Sequence, residues 1–141
     1  MNDADRIASF FENFSRADLV RLQDVYTPDA FFKDPFNEMR SVAAIEKIFR
    51  HMFETLENPV FVVTSRMSQG RECWLGWDMQ FRFKTMQPET PQVIRGASHL
   101  TLSDDGRIAA HRDYWDAAEE LYEKVPILGA FMRWLKRKIA T

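Results

Sequence analysis

Residues 26–53 read YTPDAFFKDPFNEMRSVAAIEKIFRHMF, and this stretch decides the fold because it joins a strand that ends in a carboxylate to an amphipathic helix. Pro35 disfavours helical geometry at the residue before it, so residues 30–33 are predicted to form a short strand closed by Asp34. Apolar residues then recur at the spacing of one helical face, and Ser41 is placed to cap the first turn. This helix is therefore expected to cover another apolar layer.

The residues before this stretch predict two more helices. Residues 3–14 place four apolar side chains on one helical face: Ile7, Phe10, Phe11 and Phe14. Ser15 and Asp18 have the spacing of a capping box, which predicts a second short helix that runs to about Tyr26. The chain is thus expected to begin as a helical layer.

The residues after it predict an antiparallel sheet and a last helix. Residues 72–84 alternate apolar and polar side chains, which is typical of a strand that is buried on one face only. Turn signals at residues 68–70 and 104–106 and a loop with two prolines separate the predicted strands, 60–67, 72–84, 92–103 and 107–116. Residues 117–141 are predicted to form a helix interrupted near Pro126 and Gly129. The fold class is therefore α+β.

Length and composition favour one globular domain over residues 1–141, because 141 residues with 45% hydrophobic content can enclose one core. The net charge of −2 gives no reason to expect a nucleic-acid partner, and the single Cys73 excludes an intramolecular disulfide. The first residues of the given sequence lack a basic-then-apolar signal pattern, no apolar run approaches the roughly 20 residues that span a bilayer, and no metal, phosphate or nucleotide motif is present. We expect a cytoplasmic protein without a cofactor.

The pattern Tyr-x-x-Asp-Ala-x-x-x-Asp-Pro, followed after a gap by Ala-Ala-Ile and an amphipathic helix, resembles the nuclear transport factor 2-like superfamily. This superfamily includes SnoaL-like polyketide cyclases, ketosteroid isomerases and limonene epoxide hydrolases. The resemblance implies a cone in which N-terminal helices pack on a strongly bent antiparallel sheet and enclose a pocket. It also implies that Asp34 matches the general base of the isomerases.

Neighbouring strand residues face opposite sides of a sheet, so the resemblance also fixes which residues of each strand face the pocket. It implies that the following side chains point inward: Trp77, Met79, Phe81, Ile94, Gly96, Ser98, Leu100, His111, Asp113 and Trp115. Asp78 and His99 then face away from the pocket.

The inward polar residues indicate general acid–base chemistry, because an apolar surrounding disfavours a charged carboxylate and so suits proton transfer near neutral pH. We take Asp34 and Asp113 as the catalytic proton carriers and His111 as the residue that polarises or orients. The predicted substrate-binding wall consists of Tyr26, Trp77, Met79, Phe81, Ser98 and Trp115. Alternatives are open for all three catalytic residues: Asp34 as a turn cap, Asp113 as an ion-pair partner, for example of Arg95, and His111 as a core histidine.

No mechanism of these enzymes carries over whole. The isomerase oxyanion hole uses a tyrosine and a protonated aspartate, whereas the corresponding positions here hold Phe10 and Ser98. Asp113, in the sequence RDYWD, matches one catalytic aspartate of the epoxide hydrolases, but their other catalytic positions differ. Three hypotheses follow: an isomerase-, cyclase- or hydrolase-type enzyme acting on a small apolar molecule, a non-catalytic protein that binds such a molecule, and an interaction module.

Two further surfaces are predicted to meet partners. The outward face of the sheet carries aromatic and basic residues and is expected to form a homodimer: Trp74, Arg95, His99, Arg112 and Tyr114. The last helix combines apolar residues with Arg133, Lys136, Arg137 and Lys138. The favoured interpretation is that it covers the pocket mouth or the partner subunit, and the alternative is that it lies on an anionic membrane.

Overall fold

The computed structural model describes residues 2–85, 87–120 and 126–140, with the side chains of residues 126–128 and 132 left out. Within these residues, α-helices run over Asp3–Glu12 (α1), Leu22–Val25 (α2), Val42–Thr55 (α3), Ala117–Glu120 (α4) and Pro126–Ile139 (α5), and a 3₁₀ helix over Arg16–Arg21 precedes α2. Six strands run over Tyr26–Lys33 (β1), Glu38–Arg40 (β2), Leu56–Gln69 (β3), Glu72–Phe83 (β4), Gln92–Leu102 (β5) and Ile108–Tyr114 (β6). The predicted α+β class is confirmed.

The strands form one open sheet in the order β2-β1-β6-β5-β4-β3. Neighbouring strands are antiparallel except β1 and β6, which pair in parallel. β3 to β6 are consecutive in sequence, so they pair as a meander, whereas β1 reaches its place beside β6 from the other end of the chain. This one non-local pairing joins the N-terminal third of the chain to its last strand.

Side-chain oxygens cap the helices where the sequence predicts. The backbone N–H of Ala44 donates to Ser41 Oγ at 3.1 Å at the start of α3. Asp18 Oδ2 accepts hydrogen bonds from the backbone N–H of Ser15 at 2.9 Å and from its hydroxyl at 3.0 Å. These bonds satisfy polar groups that the helix ends would otherwise leave without partners, and so fix where the helices begin.

The apolar core lies between the helices and one face of the sheet. Ile7 and Phe11 of α1 and Ile45 and Phe49 of α3 are buried there, opposite the apolar side of β4. The alternation predicted for β4 is confirmed, since the buried strand residues are Cys73, Leu75, Trp77 and Phe81. No helix of the described residues is both long enough and apolar enough to cross a membrane.

The structure differs from the predicted elements in the first half of the chain at three places. β1 begins at Tyr26 rather than at residue 30, because α2 ends at Val25 and the chain becomes extended at once. β2 was not predicted, since it has only three residues and an irregular pattern. β3 begins at Leu56, before the predicted break at Asn58, whose φ of 50° lies in the left-handed region within a shift of the strand register.

The described part of the last predicted helix is helical. α4 covers Ala117–Glu120 and α5 covers Pro126–Ile139, so the predicted interruption near Pro126 borders residues outside the described ranges. Gly129, the second predicted break, lies inside α5. Residues 121–125 lie outside the described residues.

Candidate functional site

Three adjacent strands bring the inward polar residues together. Asp113 of β6 lies directly opposite Ser98 of β5, and His111 lies opposite Leu100. Ser98 and His111 are buried, and the side chain of Asp113 is 19% exposed. β1 lies on the other side of β6, where Phe32 is the neighbour of His111.

A continuous chain of hydrogen bonds runs through these residues. Tyr26 Oη lies 2.6 Å from His111 Nδ1, and His111 Nε2 lies 2.6 Å from Asp113 Oδ1. The Ser98 hydroxyl donates to the same Oδ1 at 2.5 Å, and the indole N–H of Trp77 donates to Ser98 Oγ at 2.8 Å. His111 and Asp113 are two residues apart on one strand, and the sequence did not predict that a hydrogen bond joins them directly.

The protonation of Tyr26 sets the direction of these bonds. Burial, and secondly the negative charge of Asp113, raise the pKa of the Tyr26 hydroxyl well above its ordinary value. Tyr26 therefore keeps its proton, and its hydroxyl donates a hydrogen bond to His111 Nδ1 in the tautomer whose Nε2–H donates to Asp113. Each donor in the chain has an acceptor in this arrangement.

The two carboxylate oxygens of Asp113 have different surroundings. Oδ1 accepts the bonds from His111 and Ser98, whereas Oδ2 has no hydrogen-bond partner among the described residues. Within that part of the chain, Thr27 Oγ1 is the one fully buried side-chain polar atom without a partner, so Oδ2 is not fully buried. Asp113 thus combines a fixed orientation with one oxygen available for a ligand or water.

Asp113 lines an apolar cleft of about 380 Å³ between the inner face of the sheet and α3. Its other lining residues are Phe32, Asp34, Phe36, Ile48, Phe49, His51, Met52, Thr55, Leu56, Phe61, Trp77, Met79, Phe81, Phe83, Ile94 and Trp115. A second, deeper space of about 40 Å³ is lined by the buried Ser98 and His111 and also by Asp113. The cleft is large enough for a small organic molecule, and the deeper space holds little more than water.

Gly96 lets Trp77 form part of the cleft wall. The two residues are paired across β4 and β5, and a Cβ atom built on Gly96 would lie 2.6 Å from the indole ring. A side chain at residue 96 would therefore displace the indole, whose N–H orients Ser98. The edge of the Phe61 ring supports Trp77 from the other side, with the ring centroids 5.8 Å apart.

Asp34 lies at the cleft but is engaged locally. Its Oδ1 accepts hydrogen bonds from the backbone N–H groups of Phe36 at 2.8 Å and Asn37 at 2.7 Å. The Asn37 amide also donates to both carboxylate oxygens, at 3.1 and 3.2 Å. These are the contacts of the turn-cap alternative. Asp34 directly follows Lys33, which pairs with Arg112, so the two predicted proton carriers are close in the sheet register.

The predicted wall residues fall into two groups. Trp77, Met79, Phe81 and Trp115 line the cleft, whereas Ser98 lines only the deeper space. Tyr26, predicted to bind substrate, is fully buried and lies behind His111, so it is part of the hydrogen-bond chain and not of the cleft surface. The sequence missed the contribution of α3 to the cleft, since helical periodicity does not distinguish cleft residues from core residues.

Arg95, the ion-pair partner considered for Asp113, is engaged elsewhere. Its guanidinium donates to Glu120 Oε1 at 2.8 Å and to Glu119 Oε1 at 3.3 Å. These contacts, with Glu120 the larger cause, raise the pKa of Arg95 above its ordinary value. Within the described ranges, no three His, Cys, Asp or Glu side chains are grouped closely enough to hold a metal ion.

The geometry agrees with comparisons to known proteins. The family model for the SnoaL-like domain matches residues 7–111, which extend from α1 to the His111 strand. The chain belongs to the SnoaL-like family. A comparison with curated proteins found no match.

Solved structures show that the fold of this SnoaL-like protein is widespread. A hypothetical protein from Catenulispora acidiphila with a ketosteroid isomerase-like fold, in complex with trimethylamine, is 16% identical with a TM-score of 0.72, over 85% of this chain and 89% of that one. An NTF2-like protein of unknown function from Burkholderia pseudomallei is 14% identical with a TM-score of 0.72, over 84% and 95% of the two chains. An LEH-like epoxide hydrolase of M. tuberculosis is 12% identical with a TM-score of 0.70, over 95% and 91%. At these identities the similarity concerns the fold alone.

Proposed function

We propose that this SnoaL-like protein binds a small, largely apolar molecule in the cleft and carries out general acid–base chemistry through Asp113. The observation that carries this proposal is the asymmetry of the Asp113 carboxylate. Its Oδ1 is held by two hydrogen bonds, while its Oδ2 has no hydrogen-bond partner among the described residues and Asp113 lines the apolar cleft. A base held in one orientation beside a bound ligand meets the geometric requirement for proton transfer.

The remaining polar residues act in this proposal as positioning residues. His111 is held between Tyr26 and Asp113, so its ring cannot turn without breaking a hydrogen bond. Ser98 fixes Asp113 from the neighbouring strand and is itself fixed by Trp77. When Oδ2 takes up a proton, the carboxyl group loses its charge, and the hydrogen bonds from Ser98 and His111 become weaker because their acceptor is neutral. These two hydrogen bonds therefore favour return of the proton.

The distribution of donors favours proton removal over stabilisation of an oxyanion. The N–H and O–H groups of Trp77, Ser98, His111 and Tyr26 are all donated within the chain. Isomerase-, cyclase- and hydrolase-type reactions each include removal of a proton from carbon or water, and Asp113 could perform that step in any of them. Asp34 has its oxygens engaged by the turn, so we assign proton transfer to Asp113 and capping to Asp34.

A pair of matched probes tests ligand binding. Naphthalene and 2-naphthol are of similar shape, but only 2-naphthol offers a hydroxyl to Asp113 Oδ2. We expect the wild-type protein to bind 2-naphthol about ten-fold or more tightly than naphthalene, since a hydrogen bond to a charged acceptor contributes about 1.5–3 kcal/mol. Asp113→Asn should remove most of this preference and leave naphthalene binding unchanged. Asp78→Asn is the control, because it makes the same substitution in β4 on the opposite face of the sheet.

Hydrogen–deuterium exchange at carbon tests for turnover. In D₂O, 2-tetralone exchanges the hydrogens beside its carbonyl slowly, and NMR follows the exchange. A base at Oδ2 takes the proton from carbon, which leaves an enolate, and then delivers deuterium after exchange with solvent. We expect the wild-type protein to accelerate exchange and Asp113→Asn to reduce the protein-dependent rate about 10²-fold or more.

The two experiments distinguish the three functional classes. Discrimination between the probes with no accelerated exchange would identify a binding protein without turnover. Equal affinity of the wild type and Asp113→Asn for 2-naphthol, or no binding of either probe, would refute the role given to Asp113 and favour an interaction module. Melting temperatures measured beside each assay ensure that the variants are folded.

A further inference from the structure

The described part of α5 has an exposed apolar side. Phe131, Trp134 and Ile139 are 54%, 46% and 72% exposed, although residues of this type are usually buried. Together with the half-buried Leu135 they recur at the spacing of one helical side. The Phe131 and Trp134 rings stack with their centroids 6.1 Å apart. The helix therefore presents a continuous aromatic and aliphatic strip to its surroundings.

The cleft does not account for this strip. The residues that line the cleft belong to β1, α3, β3, β4, β5 and β6 and their adjoining loops, and no described residue of α5 is among them. The interpretation that α5 covers the pocket mouth therefore finds no support in the contacts of the described chain.

The charge of α5 is also distinctive. It carries four cations, Arg133, Lys136, Arg137 and Lys138, and no acidic residue, in a chain with a net charge of −2. All four side chains are exposed. Lys138 Nζ lies 5.7 Å from the centroid of the Trp134 ring, so this ammonium group lies beside the apolar strip. By their spacing, the other three cations lie on the opposite side of the helix.

We propose that α5 binds the surface of membranes containing anionic lipids, lying in the plane of the interface. The aromatic strip would enter the boundary of the acyl chains, where Trp is favoured, and Arg137 and Lys138 would contact lipid phosphates. The 14 residues of α5 make a helix of about 21 Å, which suits a position on the surface. An apolar protein partner would use only the strip, whereas an anionic surface uses the strip together with Arg137 and Lys138.

Sedimentation of the intact protein with two kinds of vesicle tests this proposal. One kind contains phosphatidylcholine alone, and the other contains phosphatidylcholine mixed with phosphatidylglycerol. We expect binding to the mixed vesicles, little binding to the neutral ones, and release as the salt concentration rises. Phosphate in solution should not compete at millimolar concentration, because the proposed partner is a lipid surface and not a single phosphate group.

Two sets of variants separate charge from apolar contact. Arg137→Glu with Lys138→Glu should weaken binding about 25-fold or more, since each cation near an anionic surface contributes about five-fold. Lys47→Glu with Arg50→Glu makes the same charge change on exposed residues of α3 and should leave binding unchanged. Trp134→Ser should weaken binding about ten-fold by removing apolar area from the interface.

Several results would overturn the proposal. These are no binding to mixed vesicles at low salt, equal binding to both vesicles, or equal weakening by the α3 and α5 charge variants. A fourth is a wild-type dimer that Trp134→Ser converts to a monomer without weakening vesicle binding, which would show that a second copy covers the strip. The proposal is independent of the cleft, because the α5 variants should bind 2-naphthol like the wild type.

Discussion

The substitution Tyr26→Phe tests the hydrogen-bond chain at its most buried point. It removes one oxygen and keeps the shape of a side chain that is fully buried. His111 Nδ1 then loses its only donor among the described residues, at a place closed to bulk water. An unsatisfied buried acceptor costs about 1–3 kcal/mol of unfolding free energy, which for a chain of this length lowers the melting temperature by about 3–9 °C.

The unfolding free energy lost in Tyr26→Phe should depend on pH in a defined direction. Tyr26 has a pKa well above its ordinary value of 10.0 in the folded state, so the unfolded chain releases this proton first as the pH rises. The wild type therefore loses about 1.4 kcal/mol per pH unit above about pH 10 through this residue, and Tyr26→Phe does not. The difference between the two proteins should be constant from pH 7 to 9 and shrink above pH 10.

Denaturant unfolding across pH 7 to 11 measures both effects. Tyr114→Phe is the matched control, because Tyr114 is 44% exposed and its hydroxyl has no hydrogen bond within the described chain. In a His111→Leu background, Tyr26→Phe should cost nothing or stabilise, since the hydroxyl it removes already lacks its partner. A loss below about 0.5 kcal/mol at pH 7, or identical alkaline behaviour of the wild type and the variant, would refute the reasoning.

Four further predictions concern other parts of the molecule. Gly96→Ala should destabilise by about 1–3 kcal/mol and shift the emission of Trp77, as measured by thermal unfolding followed by fluorescence, because a Cβ atom collides with the indole. Asp34→Ala should lower the free energy of unfolding by about 1–2 kcal/mol in urea without changing the preference for 2-naphthol, and a loss of that preference would return Asp34 to the catalytic site. Hydrogen bonds lower the pKa of Asp105 to about 2, so its charged carboxylate stabilises the fold above pH 3.8. This contribution is lost as the pH falls to 2, so the melting temperatures of wild type and Asp105→Asn should differ at pH 6 and converge at pH 2. Light scattering at micromolar concentration should give the mass of a dimer, and Trp74→Glu, on the exposed outer sheet face, should give a monomer.

Elements whose signals are local could be predicted from the sequence. Two helix starts are marked by hydrogen bonds between residues only three positions apart, one formed by Ser41 and the other between Ser15 and Asp18. The alternation along β4 determined that Trp77 faces inward, because successive residues of a strand must point to opposite sides. Such features need no knowledge of which segments meet, and most of the α+β organisation follows from them.

Asp34 has two local roles between which the sequence does not distinguish. Its spacing to Pro35 and Asn37 fits a turn cap and equally fits a carboxylate at a strand end. The structure provides the cap contacts, since the backbone folds so that two N–H groups meet one oxygen. Whether a short polar side chain bonds its own turn or faces a cavity depends on backbone angles that residue type only biases.

The groups that form the hydrogen-bond chain could not be predicted before the strands were placed side by side. Tyr26 and His111 are 85 residues apart and meet because β1 pairs in parallel beside β6. The family resemblance, combined with strand periodicity, predicted that Ser98 and Asp113 face inward, but neither gives the register, so the sequence did not show that the two residues lie opposite each other. Side-chain pattern has a range of a few residues, whereas register is set by the packing of the whole sheet against its helices, and that packing gave Asp113 one held oxygen and one open oxygen.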